Sequence, residues 1–138
     1  MGPSLQGKVR KGRSGGAMTA ATRDEVPVTL GGDGVEVRTK IIGGGMSVGY
    51  LRLSEGTDMG PALKGLEGDA CQCPHWGYLL KGRLRMLTPT GEEYYEAGQA
   101  YYWEPGHVPV AVEDCEFVEF SPAAEFQAVI DHVTAQAG

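Results

Sequence analysis

From Val35 onward the chain is a succession of short β-prone runs, each cut off by glycine, proline or acidic turn residues. The runs are "VEVRTKII" (35–42), "MSVGYLRLS" (46–54), "CQCPHWGYLL" (71–80), "RLRMLT" (83–88), "EEYYE" (92–96), "AYYWE" (100–104), "VPVAV" (108–112) and "CEFVEF" (115–120). So many short strands in so little chain bury their apolar faces in one of two ways, as a closed antiparallel barrel or as a jelly-roll sandwich. Composition agrees: 22 of 138 residues are glycine, about twice the usual share, yet 41% are apolar, which describes a turn-rich folded protein. The expected architecture is all-β, a single antiparallel jelly-roll β-barrel.

Local patterns support this. In "RLRMLT" Arg83 and Arg85 alternate with Leu84 and Met86, the period-2 mark of one buried and one wet face. "TPTGEE" then offers Pro89 and Gly91 for a tight turn, so residues 83–96 read as a hairpin. "DMGPALKGLEGD" (58–69) has no clear period and reads as a long loop over the barrel mouth. The chain ends differently, because in "SPAAEFQAVIDHV" Phe126, Val129, Ile130 and Val133 fall at i, i+3, i+4 and i+7. One C-terminal helix is expected over about 122–134, with Ser121 as N-cap and Pro122 first, packed on the outside of the barrel.

The first residues stand apart. Met1 to Ala17 carry Lys8, Arg10, Lys11 and Arg13 and no acid, which leaves eight basic against eighteen acidic residues in the remainder, or −10. Residues 1–27 read as a disordered basic, glycine-rich tail, and 28–138 as one domain. The acidic body argues against nucleic acid as a partner. No segment has the apolar core of a secretory signal or the length of a membrane span, so a cytoplasmic protein with no membrane partner is expected. Three cysteines are an odd count, and Cys71 and Cys73 are too close to bridge comfortably. Reduced thiols, free to bind metal, are expected.

Chemistry gathers in "CQCPH". Asp69, Cys71, Cys73 and His75 share one parity, hence one face of a strand, unless Pro74 forces a bulge. Buried cysteines and a hydrogen-bonded histidine are also ordinary core, so this run alone does not decide between core and metal site. Cys115, at the head of a strand with Phe117, reads as core.

"GYLLKGRLRM" followed by "EEYYEAGQAYYWEPGHVPVAV" resembles the cupin superfamily, over roughly residues 40–121. Gly82 fits the last glycine of that family's first motif, and Gly98 and Gly106 fit both glycines of the second. The usual ligands do not carry over. The positions of the family's first His, second His and Glu fall on Asp69, Cys71 and His75, its terminal His falls on Pro109, and the proline of its second motif falls on Glu104. The resemblance implies that positions 71 and 75 face the interior, and alternation from Pro109 turns His107 the same way.

The expected metal ligands are therefore Cys71, Cys73, His75 and His107, with Asp69 as the alternative to the cysteines. Such a soft set suits one divalent transition metal per chain, zinc first and iron(II) second. If all four bind, the site is closed and structural; if Cys73 points away, a position is open. Two functions follow. One is a metal-dependent cupin enzyme acting on a small organic molecule, dioxygenase- or isomerase-like, with Glu104 as candidate catalytic base. The other is a non-catalytic cupin that binds a small ligand or holds a structural zinc. Trp76, Tyr78 and Leu80 face outward by alternation, an apolar row that either the C-terminal helix or a second copy must cover, and a homodimer is expected.

Overall fold

In a computed structural model the chain is described over residues 18–137. Nine strands run β1 (Val28–Gly32), β2 (Val35–Gly43), β3 (Met46–Leu53), β4 (His75–Lys81), β5 (Arg83–Thr88), β6 (Gly91–Glu96), β7 (Ala100–Trp103), β8 (Val108–Ala111) and β9 (Cys115–Pro122). A short helix, α1 (Gly60–Leu63), interrupts the long connection between β3 and β4, and α2 (Ala123–Ala137) ends the chain. The strands form two antiparallel sheets, six-stranded in the order β1-β2-β3-β9-β4-β7 and three-stranded in the order β6-β5-β8.

The jelly-roll expectation holds, but the barrel is not closed. Single-pair bridges, Asp58 with Val110 and Cys71 with His107, stand beside β8 in place of a continuous ladder between the sheets. Leu53, Leu79, Leu84, Met86, Trp103 and Phe117 fill the space between the sheets. The hairpin read over 83–96 is present, with Thr88 opposite Gly91 across the turn. β1 had no counterpart among the expected strands.

The helix differs from expectation in place and in start. Phe126, Val129, Ile130 and Val133 are its buried face, as the period predicts, but they pack against Val37, Leu63, Cys71 and Cys73 and so fill the open side of the sandwich. Pro122 ends β9, and Ser121 lies within that strand with its hydroxyl turned to His75, so it does not cap the helix.

Residues 1–17 of the expected tail lie outside the described residues, and several residues of the remainder contact the domain. Val26 is fully buried, and the Ala21 carbonyl accepts a hydrogen bond from Tyr50 Oη at 2.9 Å. An Arg23 ion pair to Glu36 ties the short 3-10 turn Arg23–Glu25 to β2. Among the described residues no helix is long and apolar enough to cross a membrane.

Gly82, between β4 and β5, has φ +89°, and a Cβ there would run into the Asp114 carbonyl and come within 2.9 Å of the Cys115 sulfur. Both the left-handed backbone and the close approach exclude a side chain. Gly82→Ala is expected to cost about 2 kcal/mol or more, measured as a lower urea midpoint, whereas Gly44→Ala, which meets nothing within 4 Å, loses only the cost of its φ +62°.

Candidate metal centre

Three strand ends meet at the open side of the sandwich. β9 carries Cys115, Phe117, Glu119 and Ser121 on its inner face by strict alternation. β4 carries His75, Gly77 and Leu79 inward, and β7 carries Tyr101 and Trp103. His75 stands opposite Trp103, and Gly77 stands between Tyr101 on one side and Glu119 on the other. Because the middle residue has no side chain, the Tyr101 ring crosses over it, and its hydroxyl donates to Glu119 Oε1 at 2.7 Å. A Cβ at Gly77 would collide with that ring and lie 2.6 Å from the Val118 carbonyl oxygen.

Cys71 reaches the same place by a backbone route. Strand β4 begins only at His75, so residues 71–74 are not the strand the sequence suggested. Instead Cys71 N–H donates to the His107 carbonyl at 3.0 Å, and Gly106 N–H donates to the Cys71 carbonyl at 2.7 Å. This bridge sets Cys71 beside His107. The donor atoms of Cys71, His75 and His107 all lie within 4.8 Å of one another, and all three residues are buried. Cys71 Sγ is 3.6 Å from His75 Nε2, and the two imidazole rings are 5.1 Å apart.

Each histidine is oriented through its other nitrogen. His75 Nδ1 faces Ser121 Oγ at 2.6 Å and Glu119 Oε2 at 3.2 Å, while His107 Nδ1 donates to the Glu104 carbonyl at 2.5 Å. With the His75 proton on Nδ1, donated to Ser121 Oγ, the Nε2 lone pair faces Cys71.

Burial dominates the electrostatics. It pushes the Cys71 thiol up to about 12 and His75 down to about 3, the latter with help from His107, and it lowers His107 as well. Burial also raises Glu119 to about 8, against the Tyr101 hydrogen bond that favours its anion. At neutral pH the metal-free cluster is therefore a thiol, two neutral imidazoles and a protonated carboxyl.

The other expected site residues do not join these three. Cys73 is buried, but its thiol is not among the converging atoms; Ser121 and, at 3.4 Å, the Pro74 carbonyl are its polar neighbours, and burial raises its pKa. Pro74 and the late start of β4 break the alternation that would have brought it in. Asp69 is exposed and accepts from Gly65 N–H at 2.9 Å. Glu104 lines a second cleft with Thr88, Glu93, Tyr102 and His107, and its contact with the cluster is through its carbonyl, which accepts from His107. Glu119 is not among the site residues expected from the sequence, and Ser121 is expected there only as a helix cap. The signal was there, since both share the parity of Phe117, and an acid on the apolar face of a strand is unusual.

The group opens on one side into a cavity of about 70 Å³, walled mostly by aliphatic and aromatic residues, with Phe126, Val129, Ile130 and Val133 of α2 on one side. A soft sulfur and two borderline nitrogens at this separation fit a transition metal better than a hard ion that prefers carboxylate and water.

No family model and no curated protein matches the sequence. Solved structures do. A deletion mutant of Bacillus subtilis oxalate decarboxylase superposes with a TM-score of 0.55 at 18% identity, over 72% of this chain and 28% of that one. An RmlC-like cupin from Shewanella frigidimarina gives 0.53 at 11% identity, over 77% of this chain and 95% of that one. The fold is the cupin fold. The chain spans little more than a quarter of the decarboxylase it resembles, and at these identities the likeness concerns architecture alone.

The pH dependence of stability follows from the two opposed shifts. His75 is depressed in the fold, so its contribution grows as pH rises from about 3 and is complete above the ordinary value of 6.5. Glu119 is raised, so its contribution is complete below 4.5 and is lost as pH rises through about 8. Between pH 6.5 and 8 only Glu119 changes, and metal-free protein should lose about 1 to 2 kcal/mol there. Urea midpoints should show this decline in the wild type and a flat profile in Glu119→Gln.

Proposed function

We propose that the chain is a metal-dependent cupin enzyme acting on a small organic molecule at a centre held by Cys71, His75 and His107. The observation that supports this is the convergence of three donor atoms within 4.8 Å with Cys73 outside the set, which leaves a coordination position facing the cavity. Zinc is the ion proposed first and iron(II) second, and the reaction class is oxygenase- or isomerase-like. When bound, the ion would supply Lewis acidity toward a substrate oxygen. The protein's own residues do the rest: Cys71 gives up its proton, Glu119 and Ser121 hold the His75 ring, the Glu104 carbonyl holds His107, and the walls keep water out. The decarboxylase activity in the neighbour's name is not carried over.

A structural, non-catalytic metal is the second reading. Burial of all three donors at 5% exposure or less, beneath α2, favours it. Binding of an added small ligand to the metal-loaded protein separates the two, because a closed centre accepts none.

Purified full-length protein is expected to carry close to one equivalent of transition metal. Cys71→Ser and His75→Ala should lose it, and Cys73→Ser should keep it, as read by elemental analysis. Ser121→Ala removes a partner of His75 and is expected to weaken metal affinity roughly 10- to 100-fold in a chelator competition.

A homodimer is part of the proposal. Trp76, Tyr78, Tyr102 and Phe120 stand on the outer face of β9, β4 and β7, each more than 40% exposed, and α2 covers the other side of the molecule. Light scattering should give twice 14.7 kDa for the wild type. Trp76→Glu with Tyr78→Glu should give the monomer mass, and a monomeric wild type rejects the pairing.

A further inference from the structure

The three donors are buried, so whatever reaches them must pass the side chains that line the cavity in front of them. Three surface grooves share residues with that lining. The cleft beside Glu104 shares Trp103 and His107, and the groove at the start of α2 shares Phe126 and Ile130. A third groove, between the β1–β2 turn and α1, shares Leu30, Val35, Met59 and Val133. The first two walls are fixed. Trp103 is stacked 3.6 Å from Tyr101, His107 is held by the Glu104 carbonyl, and the Phe126 ring stands edge-on to His75 at 5.1 Å, all of them buried. In the third wall Leu30, Val35 and Met59 are only partly buried. The Met59 backbone is pinned, its N–H donating to the Pro109 carbonyl at 3.1 Å and its carbonyl accepting from Leu63 N–H at 3.1 Å. Its side chain is unbranched and rotates about several bonds, so it can turn while the chain stays in place.

We infer that the way in to the Cys71, His75 and His107 group runs through the groove between the β1–β2 turn and α1, and that the Met59 side chain is its gate. The purpose of such a gate rests on the metal reading above, but its geometry does not. Gly31 and Gly32 also line the groove, and their bare backbone leaves room for the side chain once it has turned. Groove and cavity then form one passage, lined by Leu30, Val35 and Val133. Exchange at the donors is limited by the rotation of one side chain, and α2 stays packed while it happens.

Alkylation of Cys71 measures the passage directly, with Cys115 as the internal control. Cys71 lines the cavity, whereas Cys115 is buried in the other core cluster and reacts only when the fold as a whole opens. Full-length protein is treated with iodoacetamide in excess chelator at pH 8.5, and the modification of each cysteine is followed by mass spectrometry. The thiolate sulfur displaces iodide, and the thiol proton goes to the buffer. Met59→Ala should react at Cys71 at least about tenfold faster than the wild type with Cys115 unchanged, and Leu30→Ala is the second variant should the first not fold. Pro61, Thr90 and Ala124 are exposed residues, one on each groove, and tryptophan at each acts as a plug. Pro61→Trp should slow Cys71, while Thr90→Trp and Ala124→Trp should leave it at the wild-type rate. The assignment is overturned if the Cys71 rate is unchanged in the widened variants, if Cys115 accelerates together with Cys71, or if Pro61→Trp fails to slow Cys71 or slows it less than either other plug. None of these outcomes touches the metal reading, which the elemental analysis above decides separately.

Discussion

A carboxyl group buried with no lysine or arginine beside it decides how the interior is arranged. Glu119 is 2% exposed, and its polar partners among the described residues are Tyr101 and His75. An unpartnered carboxyl in such a place costs several kcal/mol, on the order of 2 to 7 for a polar group even before any charge is counted. Both partners must therefore arrive, and each comes from a different strand. Tyr101 comes from β7 across the bare backbone of Gly77, and His75 comes from the start of β4. A slip of one residue in either pairing would turn these side chains to the solvent face and leave the acid alone. The polar chain Tyr101, Glu119, His75 and Ser121 thus specifies register as well as ring orientation, because a half-satisfied network is worse than none.

The second constraint is the opening between the sheets. A closed barrel would have its own lining on every side, whereas two sheets of six and three strands leave a gap beside β8. Helix α2 fills that gap with Phe126, Val129, Ile130 and Val133, and the Phe126 ring stands 5.1 Å from the His75 imidazole. The same side chains stabilise the fold and wall the cavity. Ser121 illustrates the economy of this arrangement: a residue with every local reason to cap the helix is kept in β9, where its hydroxyl holds His75.

Much of this was legible in the sequence because alternation and turn chemistry are local. Alternation and turn residues make Arg83 to Glu96 a hairpin, and Gly82, Gly98 and Gly106 fit the glycine frame of a cupin. Cys71, His75 and His107 were reachable from parity plus that frame, and the structure brings them together. What failed was whatever depends on a break in the regularity. Residues 71–74 do not form the regular strand that parity assumed, so Cys73 packs in the same core cluster as Cys71 without joining the three converging donors, and nothing in the apolar stripe of the helix says which surface receives it. Glu104 was chosen for its position at a turn, while the acid that reaches the cluster, Glu119, sat in a run that looked like plain core.

The presence of sulfur at position 71 has a further physical consequence. Cys71 is a thiol up to about pH 12 and both imidazoles are neutral, so the metal-free cluster carries no charge at neutral pH, which suits a pocket with aliphatic walls. A fourth charge-bearing group would upset this balance, and the buried acid avoids doing so by keeping its proton. A thiolate is stable here only together with a cation, so binding of an ion would require Cys71 to lose its proton at the same time. A divalent ion held by one thiolate and two neutral imidazoles would keep a single net positive charge.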